Sequence, residues 1–131
     1  MKTILLDTNS YSLATKGYKK VTSQIESADV VYMSSVVLGE LYAGFKRGNI
    51  EGKNRAILNS FLSKSTVQVL DVTAKTAEIY AAVRYSLILK GKPIPHNDVW
   101  IAAHAMEAGA TLITFDKHFL EVLGLKIFGE E

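Results

Sequence analysis

Four carboxylates stand where this chain has little reason to place a solvated acid. Asp7 follows the apolar stretch ILL, Glu40 lies inside VVLGELYAGF, Asp98 opens the run VWIAA, and Asp116 follows LIT after one residue. A buried, unpaired carboxylate costs several kcal/mol, so an acid in such a place needs a partner, a cap role or a cation. Each also has a plainer reading. Asn97 or Asp98 can be the N-cap of a helix running to about Glu107 and ended by Gly109. Asp7 can open an Asx-type helix start through Thr8 and Asn9, and Glu40 can reach water past the small Ala43 and Gly44. For one residue alone the plain reading suffices. Four such residues, all at or near element ends, point to one shared site.

Carboxylates gathered within a few ångströms repel and raise one another's pKa unless a cation neutralises them. Cysteine is absent, so a metal here must use oxygen or imidazole ligands, and oxygen ligands suit magnesium or manganese rather than zinc. Such a site lowers the pKa of a bound water, orients it in line with a phosphodiester and shields the charge that builds on the phosphate. This is the outline of a hydrolytic nuclease. His96 and His118 each lie two residues from a site acid, within reach of a substrate phosphate, and carry no catalytic assignment. His104, inside AAHAM, reads as a packed or surface histidine, and Trp100 and the six tyrosines read as core or interface. Gly39, Gly44 and Gly52 form no phosphate loop.

The elements that must position these acids alternate. Residues 3–6, 30–33, 67–70 and 110–114 read as short buried strands, with a further edge strand at 126–128. Helical patterns occupy about 9–26, broken near Gly17, then 35–47, 51–63, 73–90 and 97–108. Parallel strands need crossover connections and helices supply them, so the expected class is α/β: one domain, residues 1–131, with a central, mostly parallel sheet flanked by helices on both faces. In such folds ligands bind beyond the carboxyl ends of the strands, and all four acids reach that rim. The 131 residues fit a single core, 48% hydrophobic and 21% charged residues are an ordinary globular balance, and no linker-like, repeated or membrane-spanning segment interrupts them. A cytoplasmic protein is expected. The net charge of +2 is unremarkable until the four acids of the quartet are set aside from the thirteen. Fifteen basic residues then face nine acids, an excess of +6 over the rest of the chain that suits a polyanion.

Four segments, LLDTN at 5–9, SSVVLGELYAG at 34–44, IPHNDVWIAAHA at 94–105 and LITFDKHF at 112–119, resemble in order and spacing a PIN-domain ribonuclease, more narrowly a VapC-type toxin of a toxin-antitoxin pair. The resemblance implies that Asp7, Glu40, Asp98 and Asp116 form an acidic quartet holding magnesium or manganese for RNA cleavage, with Asp7 and Asp98 as the nearest ligands. It implies that Asn9 and Thr114 support the quartet, that an antitoxin segment lies in an apolar groove and blocks the site, and that the chain forms a homodimer. One position departs: the residue before the last acid is often polar in the family and is Phe115 here.

Two other readings compete. A haloacid-dehalogenase-like phosphatase also begins with a strand and an aspartate, but it needs a second aspartate two residues on, where Asn9 stands. A non-catalytic PIN-type module binding RNA or protein would not need four intact acids.

Overall fold

Three aliphatic side chains with almost no exposure, Ile4, Leu5 and Leu6, place strand β1 (Thr3–Leu6) at the centre of a parallel sheet. The computed structural model describes residues 1–129; residues 130 and 131, at the end of the span expected to form the domain, lie outside them. From β1 the chain runs through α1 (Thr8–Thr15), α2 (Lys19–Ser27), β2 (Val30–Ser34), α3 (Ser35–Arg47), α4 (Glu51–Leu62) and β3 (Val67–Leu70). It continues through α5 (Ala74–Lys90), α6 (His96–Ala108), β4 (Thr111–Thr114), a 3₁₀ turn at Lys117–Glu121 and β5 (Ile127–Gly129). The strand order is β3-β2-β1-β4-β5, with every described pairing parallel. The chain first grows outward on one side of β1, then returns to its other side at β4. The crevice between β1 and β4 is therefore the place where strand order reverses, the expected binding site of such a sheet.

Most boundaries agree with the sequence reading to one or two residues. The single helical pattern at 9–26 is two helices, separated at Gly17, whose φ of 77° is open to glycine at little cost. Helix α6 departs in a way that bears on the site. It begins at His96, one residue early, behind Pro95, whose φ of −55° is already helix-compatible, and no side chain caps it. Neither Asn97 nor Asp98 is the N-cap, so the capping explanation of Asp98 falls: it sits in the first helical turn, where a negative charge suits the dipole.

Helix α6 is apolar on nearly every side, and Val99, Ile101, Ala102, Ala103 and Ala105 are all buried. Such a helix belongs in a core, and its alanines let it approach closely. His104 is its one fully buried polar residue and is packed, as expected. Its Nε2 donates to the Asp71 carbonyl at 3.1 Å, which leaves Nδ1 to accept from the Ser34 hydroxyl at 2.8 Å. Ser34 Oγ in turn accepts the Val36 amide at the start of α3. The histidine thus ties α6 to the ends of β2 and β3. Replacing it by alanine opens a cavity and strands the Ser34 donor, so His104→Ala should cost about 2–4 kcal/mol in denaturant unfolding.

Candidate active site

Asp7, Thr8, Asn9, Glu40, Arg47, Asp98, Ile101 and Asp116 line one cleft of about 250 Å³ at the carboxyl edge of the sheet. Strand register explains the meeting of two of the acids. Leu6 pairs with Ile113, so β1 and β4 end side by side and release Asp7 and Thr114 at neighbouring positions. The bond of the Asp7 amide to the Ile113 carbonyl, 3.3 Å, extends the ladder one step further.

Asp7 is 5% exposed and forms the floor of the cleft. The plain reading and the functional one both hold for it. As N-cap of α1 it accepts the Ser10 amide through Oδ1 at 2.8 Å. Its other oxygen accepts the Thr114 hydroxyl at 2.5 Å, while Thr114 Oγ1 accepts the Asp116 amide at 3.0 Å. Thr114 therefore fixes two of the four acids at once. Glu40 does not reach outward past Gly44. Its carboxylate turns into the cleft, where Oε1 accepts the Thr8 hydroxyl at 2.5 Å and Oε2 the Asn97 side-chain amide at 3.3 Å. Asn9 lies at the exposed rim, and its side chain bonds none of the four acids among the described residues.

Asp98 and Asp116 converge on His118. Its Nδ1 lies 3.4 Å from Asp98 Oδ2 and 3.2 Å from Asp116 Oδ1, and the ligand atoms of the three residues all fall within 4.8 Å of one another. Asp116 is held by its own turn, capping the 3₁₀ segment by accepting the His118 amide at 2.9 Å. Phe115 points away from this work and meets the Tyr18 ring edge-on at 5.8 Å, so the position that departs from the family pattern serves packing.

Burial raises the carboxyl of Asp98 above its ordinary range; the His118 hydrogen bond opposes this, and the charges of Asp116 and Glu40 reinforce it. Burial likewise raises Asp7, against the Thr114 and Ser10 amide bonds and with Asp116 adding to it. The native state thus binds protons more tightly than the unfolded chain at both positions. Their contribution to stability is greatest below the unfolded value, about 3.9, and is lost as pH rises through the raised folded values. The metal-free chain should therefore show a melting temperature that falls over that window. Magnesium should restore it above the window and do little below it, where the acids are protonated. Melting curves across pH, with and without the ion, check this, and Asp98→Asn should flatten the metal-free curve.

The donor set fits a divalent cation: carboxylate oxygens in excess of nearby positive charge, no thiolate, and ligand atoms of Asp98, Asp116 and His118 within 4.8 Å of one another. Sequence reasoning missed Thr8 and Asn97, whose partner Glu40 lies 32 and 57 residues away. Arg47 was missed as well; it shares a face of α3 with Glu40 and Gly44, seven and three residues before it.

A parallel α/β domain with an acid-lined cleft at the strand-order reversal defines the class, and the PIN domain family model matches residues 4–124: the chain belongs to that family. It is 30% identical over 125 residues to Ribonuclease VapC2 of Haemophilus influenzae, covering 93% of each chain. It is 32% identical over 92 residues to the tRNA(fMet)-specific endonuclease VapC of Shigella flexneri, covering 70% of this chain and 68% of that one. Among solved structures, VapBC2 of Rickettsia felis bound to a DNA fragment from its promoter matches with a TM-score of 0.86 at 30% identity, over 96% of this chain and 97% of that chain.

Proposed function

We infer that this chain is a VapC-type ribonuclease, the toxin of a toxin-antitoxin pair, and that it hydrolyses RNA phosphodiester bonds with a magnesium or manganese ion held by its acids. The observation that supports this best is the convergence of Asp7, Glu40, Asp98 and Asp116 on one cleft from four separate elements. In place of the expected pair of Asp7 and Asp98, Asp98 and Asp116 are the two acids whose ligand atoms gather with His118, and Asp7 supplies the floor. The ion, when bound, supplies positive charge that makes water a better nucleophile and stabilises the phosphate as it gains charge.

The rest is the work of side chains. Asp7, with one hydrogen bond on each oxygen, keeps further lone pairs directed into the cleft and cannot swing away. Glu40, held by Thr8 and Asn97 and outside the Asp98, Asp116 and His118 cluster, orients the attacking water and takes its proton. Arg47 at the rim faces the phosphate. Water adds to phosphorus as the bond to the 3′ oxygen breaks, and that oxygen leaves with a proton from solvent.

The partner implied is an antitoxin. An apolar groove of about 610 Å³ on α1, α2 and α4, lined by Tyr11, Ala14, Ile25, Ile57 and Phe61, suits a peptide segment. No helix of the described residues is long and apolar enough to cross a membrane, and we place the enzyme in the cytoplasm.

The test is cleavage of RNA by the purified, partner-free chain. Activity should require magnesium or manganese and vanish in excess chelator, with recovery on adding the ion back. Undiminished cleavage in chelator would reject the metal-dependent mechanism.

A further inference from the structure

We propose that the imidazole of His118 is itself a ligand of the divalent ion, through Nδ1, and that it biases the site away from magnesium and toward a first-row transition ion. This rests on the metal-dependent reading above. The acidic quartet accounts for oxygen ligands alone; His118 adds a nitrogen.

The geometry suits coordination as well as an ion pair. A charge-assisted N–H···O⁻ bond settles at about 2.7–2.9 Å, yet Nδ1 stands 3.2 Å from Asp116 Oδ1 and 3.4 Å from Asp98 Oδ2, close to neither. Adjacent ligands around an octahedral ion with bonds of about 2.1 Å lie about 3 Å apart. Both contacts are long hydrogen-bond or ion-pair contacts, and separations of this size also match the edges of a coordination shell. The ring is also held there by the backbone. The His118 amide donates to Asp116 Oδ1, the cap of the 3₁₀ turn, so acid and imidazole come from one rigid step of chain while Asp98 reaches them from α6. Just over half of the His118 side chain is exposed, which leaves the open face of the site free for water and substrate.

The chemical consequence follows from ligand type. Magnesium takes oxygen almost exclusively, whereas manganese also accepts imidazole nitrogen and the later first-row ions favour it more strongly. One imidazole among carboxylates should therefore strengthen manganese binding more than magnesium binding. Replacing it should cost manganese affinity about tenfold or more and magnesium affinity much less.

The experiment uses the full, partner-free chain loaded with manganese(II) and electron spin echo spectroscopy, which detects nitrogen bonded directly to the ion. Expected is a histidine nitrogen coupling that changes when the chain is made with ¹⁵N-labelled histidine and disappears in His118→Gln, with calorimetry showing the selective loss of manganese affinity. Bound manganese with no histidine coupling would overturn the proposal and leave the metal-dependent nuclease standing. Coupling retained in a folded His118→Gln would overturn it too, by assigning the nitrogen to another histidine. Failure of the parent to bind manganese at all would bring down both readings. The labelled parent requires no substitution, so the answer stands even if the variant folds poorly.

Discussion

Asp98→Asn is expected to lower RNA cleavage at least a hundredfold while leaving the fold intact. The size follows from the several kcal/mol that a cation contributes to the transition state, each 1.36 kcal/mol being a factor of ten in rate. Removing one of two convergent carboxylates weakens the ion and relieves repulsion from Asp116 and Glu40 at once. The fold should survive for a structural reason. Pro95 rather than Asp98 precedes α6, and the Asp98 side chain accepts no backbone amide among the described hydrogen bonds. Asparagine would also serve a purely local role in the first turn nearly as well as aspartate. Cleavage rate, manganese affinity and melting temperature measured on this one variant separate the two roles. Near-parent cleavage at limiting metal would remove Asp98 from the site.

Asp7→Asn should lose activity to a similar degree, but with a different structural signature. The asparagine oxygen can keep the Ser10 amide, so α1 retains its cap. The other half of the side chain becomes a donor, and Thr114, which now donates to Asp7 while accepting the Asp116 amide, must turn its own proton elsewhere. The rearrangement should reach Asp116 through their shared threonine. Relief of the buried charge offsets part of the lost charge-assisted bond, so we expect a stability change within about 2 kcal/mol. Activity assays with denaturant unfolding check both halves, and an active Asp7→Asn enzyme of verified purity would exclude Asp7 as a ligand.

How much of this is legible without coordinates depends on how local each cause is. Four short aliphatic stretches between helical patterns require crossovers, hence parallel strands, and LLD and LIT mark the strand ends that carry Asp7, Thr114 and Asp116. The order β3-β2-β1-β4-β5 is not local, because nothing in the text of β4 says that it returns beside β1. Glu40 shows itself as an acid in an apolar helix, but its two holders do not, since Thr8 and Asn97 come from helices that meet α3 only after folding. Asn9 is as polar as Thr8 and one residue away, and only the helical turn of α1 decides which of them faces Glu40. The start of α6 was legible in principle: Pro95 fixes the entry of the helix, and the capping preference of Asn97 and Asp98 yields to it.

Whether acids and a cation direct water at a phosphodiester is read from the chemical ends of the RNA fragments. Attack by water with departure of the 3′ oxygen leaves a 5′ phosphate on one fragment and a 3′ hydroxyl on the other. Attack by the neighbouring 2′ hydroxyl, the route of metal-independent ribonucleases that use side-chain acids and bases, leaves a 2′,3′-cyclic phosphate and a 5′ hydroxyl. Mass spectrometry of the products formed by the partner-free chain with magnesium should show only 5′ phosphates and 3′ hydroxyls, and products carrying 2′,3′-cyclic phosphates, formed as fast in chelator as in magnesium, would rule out metal-directed hydrolysis.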